Sequence, residues 1–157
     1  MERVPMTIKG AKALKKTLAF LKGEKRHKIV STIESARAHG DLSENAEYHA
    51  AKEEQGMNEA KIKDIEDSLA RANIIDPATI KSERIVFGAT VEMIDVNAGT
   101  EVTYQIVGVD EADIELGMVS ITSPIARAMI GKEAGDVAVV QAPGGEREFE
   151  IQSIEYV

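Results

Sequence analysis

The sequence predicts an α+β chain in two domains. An N-terminal antiparallel coiled-coil hairpin of two helices is followed by a small antiparallel sheet with one helix. Three observations predict it. As far as Ala72, apolar residues recur at steps of three and four, the spacing of a single buried helical stripe. Beyond Asp76-Pro77 the pattern shortens to β-branched runs with partial alternation, punctuated by Gly and Pro. Charge divides at the same place: residues 1–73 hold 14 Lys and Arg against 12 Asp and Glu, and residues 74–157 hold 5 against 15. Such segregation suggests halves with different partners. The expected boundaries are 1–76 for the hairpin, 77–84 for a linker and 85–157 for the globular domain.

Thr7 is the expected N-cap of the first helix. Its stripe runs through Ala11, Leu14, Leu18, Leu21, Lys25, Ile29, Ile33 and Ala36. The steps 21, 25, 29, 33 form a stutter in the heptad. Gly23 lies beside it and costs roughly 1 kcal/mol of helix propensity relative to Ala, so a local irregularity is expected there. Gly40 ends the helix. A second helix begins by about Ser43 to Asn45, with the regular stripe Tyr48, Ala51, Gln55, Asn58, Ile62, Ile65, Leu69 and Ala72. Folding back at 39–45 pairs Ala36 with Tyr48, Ile29 with Gln55, Lys25 with Asn58, Leu18 with Ile65 and Ala11 with Ala72. Each arm of ~30 residues at ~1.5 Å per residue gives a length of ~45 Å. Asp76-Pro77 is expected to close the second helix.

Five strands are predicted in the second half, at 89–96, 101–107, 118–122, 136–141 and 147–154. Turn signals separate them at Asn97-Ala98-Gly99, Gly117, Gly135 and Pro143-Gly144-Gly145. One helix interrupts them, with Ser123 as N-cap, Pro124 at its first position and Gly131 past its end.

Composition bounds the function. The absence of Cys excludes disulfides, thiol catalysis and Cys-ligated zinc, and it fits a reducing cytoplasm. No apolar run approaches the ~18 residues of a membrane span, and MERVPMTIKG lacks the apolar core of a signal peptide. A soluble cytoplasmic monomer with no membrane partner is expected.

The chemistry-bearing stretch is HGDLSENAEYHAAK at 39–52. Asp41 and Glu44 stand three residues apart at the bend, with Glu47 beyond. One reading is helix capping, since acids favour the positive end of a helix, although Ser43 could cap instead. The other is a pair of hard oxygen ligands for Mg²⁺, an ion that takes few carboxylates and fills its octahedron with water or phosphate. Two carboxylates on one exposed turn would complete a site supplied mostly by another protein. His39 and His49 flank the acids, but their spacing matches no zinc pattern. A second feature is the basic run at 9–28: Lys9, Lys12, Lys15, Lys16, Lys22, Lys25, Arg26 and Lys28 oppose Glu24 alone. It reads either as a solvated helix face or as a phosphate-contacting one. Phe20, inside the run, is expected to pack, which leaves no aromatic platform and makes any nucleic-acid contact electrostatic. Pro143-Gly144-Gly145 lacks the Lys-Ser/Thr of a phosphate loop and precedes a strand, so it reads as a hairpin turn. No Ser/His/Asp nucleophile arrangement is readable.

These residues carry a resemblance. HGDLSENAEYHAAKE at 39–53, IKDIE at 62–66, VFGATVEMID at 86–95, YQIVGVDEAD at 104–113, SPIARAMIGKE at 123–133 and APGGEREFEI at 142–151 resemble, in order and over nearly the whole chain, the Gre family of bacterial transcript cleavage factors. The resemblance implies a coiled-coil hairpin and a globular domain of FKBP-like fold. It implies that the hairpin enters the secondary channel of bacterial RNA polymerase. There the tip acids Asp41 and Glu44 help hold a second Mg²⁺ and the attacking water, and the polymerase cuts its own nascent RNA near the 3′ end in backtracked complexes. Ser43 sits at a variable tip position, with a supporting hydrogen bond as its possible role. The basic face formed by Lys9, Lys12, Lys15, Lys16, Lys22, Lys25 and Arg26 would lie near the RNA, and Ser123 and Pro124 would dock on the polymerase. The protein would thus be no enzyme itself. Relatives with this architecture that inhibit without cleaving differ mainly at the tip, and both tip acids are present here. A prolyl isomerase would need an aromatic-lined pocket, and 89–157 offers only Tyr104, Phe149 and Tyr156.

Overall fold

A computed structural model describes residues 2–41 and 44–157. The chain divides into two compact units, one of residues 12–71 and one combining 1–11 with 72–157.

The first unit is the helical hairpin. Helix α1 (Ile8–Phe20) runs through a π-turn at Leu21–Lys25 into α2 (Arg26–Arg37), and α3 (Ala46–Arg71) returns. Every stripe position from Ala11 to Ala36 and from Tyr48 to Ala72 is buried or half-buried, while between 12 and 41 all other described positions except Arg26 are exposed. The seam is most apolar where Leu21, Ile62 and Ile65 pack with Leu14, Leu18 and Leu69. The π-turn falls on the stutter and explains it. The first stripe takes 25 residue steps from Ala11 to Ala36, and the second takes 24 from Tyr48 to Ala72. A π-turn absorbs one extra residue while returning the helix to the same face. Opposite it, the buried Asn58 donates from Nδ2 to the Leu21 carbonyl at 3.1 Å. Outside the seam, Arg26 makes a two-pronged pair with Glu59 at 2.8 Å for both bonds, and Lys22 meets Glu66 at 3.3 Å.

The second unit begins with two strands absent from the expectation, β1 (Val4–Thr7) and β2 (Ala72–Ile75), which pair in parallel. α3 therefore ends at Arg71, not at Asp76-Pro77. Asp76 instead caps a short 3-10 turn at Pro77–Thr79, accepting from the Ala78 amide at 3.0 Å. The expected boundaries shift accordingly: 1–11 and 72–84 lie in the globular unit, and Pro77 of the expected linker is buried there. Two four-residue strands are too short to show a period, and the stripe runs through Ala72 without a break.

The main sheet contains β3 (Thr90–Asp95), β4 (Thr100–Val107), β5 (Met118–Ser120), β6 (Val137–Ala142) and β7 (Gly145–Glu155), in the order β5-β4-β3-β7-β6. All five expected strands are present within about two residues. Three pairings are antiparallel and the edge pairing β4/β5 is parallel, so the sheet is mixed. A bulge in β7 at Gln152 shifts the register between Glu92/Ser153 and Met93/Ile151, which bends the sheet. Helix α4 (Pro124–Met129) starts as expected, with the Ser123 Oγ accepting from the Ala126 amide at 3.2 Å and Pro124 in the first turn. Its Ala126 and Met129 join Ile85, Val91, Met93, Ile106, Phe149 and Ile151 in the core.

The entry to α1 is tied to this unit. Thr7 is the N-cap, its Oγ1 accepting from the Gly10 amide at 3.0 Å. The Glu111 carboxylate accepts from the Thr7 hydroxyl, from the Thr7 amide at 2.9 Å and from the Gly108 amide at 2.8 Å. A Cβ on Gly10 would fall 1.9 Å from Glu111 Oε1, so the carboxylate takes the place a side chain would need.

Candidate functional site

The hairpin turns between two helix ends. α2 closes after Arg37 with the His39 amide on the Ala36 carbonyl, and Gly40 adopts φ 108°, a conformation favouring glycine. On the return, the cap of α3 is Asn45. Its Oδ1 accepts from the Tyr48 amide at 3.0 Å, and its Nδ2 reaches back to the Ala36 carbonyl at 2.7 Å. One side chain therefore satisfies an orphan donor of α3 and a terminal acceptor of α2. Sequence reasoning overlooked Asn45, although Asn is a favoured cap and this one stands three residues before Tyr48.

This arrangement bears on the two readings of the acids. With the cap assigned to Asn45, Asp41 and Glu44 are not needed to start α3. Both are exposed, and with His39, Asn45 and Glu47 they line one open depression of about 460 Å³. Glu44 meets no hydrogen-bond partner among the described residues. Glu47 lies in the first turn of α3, where a negative charge favours the helix. His49 is exposed and stacks edge-on against Tyr48, with centroids 5.5 Å apart. Among the described residues no three His, Asp or Glu side chains converge closely enough to hold a metal ion by themselves. The donor set thus consists of hard carboxylate oxygens, which fits a partial Mg²⁺ ligand set and falls short of a complete one. Ser43 lies outside the described residues.

The basic run is not uniform. Lys22 and Arg26 are engaged by Glu66 and Glu59, and Glu59 holds the Arg26 guanidinium above its ordinary value. Among the described residues no acid pairs with Lys9, Lys12, Lys15, Lys16, Lys25 or Lys28. Phe20 departs from expectation: 48% of it is exposed. The seam takes Leu18 and Leu21, and position 20 points off it. Of the two candidate docking residues, Pro124 is exposed, while Ser123 is half-buried with its hydroxyl capping α4.

A family profile described as "Transcription elongation factor, N-terminal" matches residues 4–74, and one described as "Transcription elongation factor, GreA/GreB, C-term" matches residues 80–156. The transcription elongation factor GreA of Alkalilimnicola ehrlichii is 55% identical over 157 residues, covering 99% of each chain. That of Methylococcus capsulatus is 56% identical over 158 residues, covering 100% of each. Among solved structures, GreA factor homolog 1 of Thermus thermophilus is 28% identical and aligns over 98% of this chain and 99% of that one, with a TM-score of 0.45. No helix among the described residues is long and apolar enough to cross a membrane.

Proposed function

This chain belongs to the GreA/GreB family of transcription elongation factors, and from that premise we propose that it binds bacterial RNA polymerase and stimulates cleavage of the nascent transcript. The hairpin enters the secondary channel of a backtracked or arrested complex. Asp41 and Glu44 then act beside the polymerase's own active centre, and elongation resumes from the new 3′ end. The chain is not an enzyme itself; it supplies ligands to one.

The observation that carries this reading is the division of labour at the bend. Asn45 performs the capping, while Glu44, one residue before it, points no bond at the chain's own described residues. An exposed, uncommitted carboxylate beside a second acid suits an ion held jointly with another protein. Asp41 and Glu44 are the residues that would hold a Mg²⁺ shared with the polymerase. When bound, that ion supplies an activated water and charge stabilisation for phosphoryl transfer. The chain's own contribution is to carry two oxygen donors on a turn fixed by Gly40 and Asn45, at the end of a helix of about 39 Å. In this reading Lys9, Lys12, Lys15, Lys16 and Lys25 face the RNA, and Pro124 contributes to docking through its exposed ring.

The test is transcript cleavage in a halted, backtracked elongation complex with and without the protein. Short 3′ fragments released faster in its presence are expected. Undiminished binding with no added cleavage would assign the chain to channel-binding regulators that only block.

A further inference from the structure

Of the three phenylalanines, Phe87 and Phe149 belong to the globular core. Phe20 stands on a lysine-bearing helix face with about half its surface in water. The π-turn at Leu21–Lys25 follows it directly. Closed by i→i+5 bonds in place of i→i+4, that turn is wider than an α-turn, and Gly23 adds no side chain to it. Beside it, Phe20, Glu24, Lys25, Lys28, Thr32 and Glu54 line a cleft of about 300 Å³, the lower end of the range for small-ligand sites. Lys16 lies four residues before Phe20, on the same helix face.

We propose that Phe20 is a stacking platform for one base of single-stranded RNA, with Lys16 and Lys28 taking the flanking phosphates. The inference rests on the reading that this chain works beside a nascent transcript, and it converts a purely electrostatic face into a base-contacting one. Charge complementarity selects the occupant. Lys12, Lys15, Lys16 and Lys28 meet no acid among the described residues, whereas Lys22 and Arg26 are already paired across the hairpin. Uncommitted ammonium groups on either side of an exposed ring, here Lys16 one turn before it and Lys28 across the cleft, are an arrangement that binds single strands, where every base offers a π-face. Glu24 and Glu54 turn phosphate away from the cleft itself and leave room there for a base edge. Their carboxylates accept from an exocyclic amino group such as N4 of cytosine. A duplex, its bases stacked on each other, has no free face to offer.

The experiment uses the full chain without polymerase. Phe20 ring resonances are followed while cytidine and uridine tetranucleotides are titrated at several salt concentrations. The ring protons are expected to move upfield. Phe20→Leu is expected to weaken binding about five-fold or more with an unchanged salt slope, and Phe20→Trp to restore it. Lys16→Gln and Lys28→Gln are each expected to lower the salt slope by about 0.7. An unmoved ring, equal affinity of the Leu and Trp variants, or no binding at millimolar oligonucleotide each overturns the proposal. So does a Phe20→Leu variant that keeps the parent's affinity for RNA. Because no polymerase is present, intact stacking with failed cleavage strikes only the function proposed above, and lost stacking with intact cleavage strikes only this inference.

Discussion

Carboxylates are used differently in the two units. In the globular unit several of them bind backbone amides of the same unit. Asp95, only 2% exposed, accepts from the Asn97 and Ala98 amides at 3.0 and 3.2 Å and from the Arg147 guanidinium, closing the β3–β4 turn. Glu111 binds three donors around the start of α1. Asp76, Asp113 and Asp136 each accept from a nearby amide. At the hairpin bend an amide side chain, Asn45, does the equivalent work, and Glu44, one residue before it, is exposed with no hydrogen bond to the described residues. A carboxylate that organises its own backbone is part of the fold. One that stands beside an already capped helix is available to a partner.

Substitutions can break that contrast, beginning with the largest expected effect. Asp41→Asn and Glu44→Gln should each lower stimulated cleavage by about a hundred-fold, the scale of a lost metal-site group. Their melting free energy should stay within about 0.5 kcal/mol of the parent, as for ordinary surface changes. A melting loss as large as the functional one would make the tip acids structural. Glu111→Ala should show the reverse, costing about 2–3 kcal/mol in chemical denaturation because charged-acceptor bonds to Thr7 and Gly108 are lost. An unchanged denaturation midpoint would remove Glu111 from the fold's supports.

Asp95→Asn should act more gently at neutral pH, since an amide oxygen still accepts from the turn. The Ala98 amide first, then the Arg147 guanidinium and the Asn97 amide, hold the Asp95 carboxyl below the usual carboxylate range. A depressed folded value means that its stabilisation is present above the unfolded value near ~3.9 and is lost as pH falls through the folded value. The variant should therefore melt lower at pH 7 and lose less on acidification than the parent; parallel acid curves would contradict this. Asn45→Ala is the smallest, costing about 1 kcal/mol for a lost cap. Were it silent in thermal melting, Asp41 or Glu44 would have to be capping after all.

Much of this was legible in residue spacing. Both seam stripes held at every position, and the stutter at 21, 25, 29, 33 marked a local irregularity, which is a π-turn in the structure because the extra residue in one arm has to be absorbed. The globular strands were readable from β-branched runs between glycine turns. What was hidden had local causes. β1 and β2 pair over four residues each, too few to show a period, and the parallel pairing of β5 with β4 depends on a crossover that no local signal encodes. Asn45 was passed over because two acids and a serine competed for the same cap. Phe20 was expected to pack because aromatic residues usually do, and only its placement off the seam revealed otherwise.

The most direct test of the tip as a pair of ligands supplied to another enzyme is a Mg²⁺ titration of transcript cleavage in a backtracked complex. It compares no factor, the parent chain and the Asp41→Asn and Glu44→Gln variants. The parent should lower the Mg²⁺ concentration at half-maximal cleavage, and the variants should bind the complex yet need nearly as much Mg²⁺ as polymerase alone. Variants that match the parent across the whole titration would contradict the metal-ligand role.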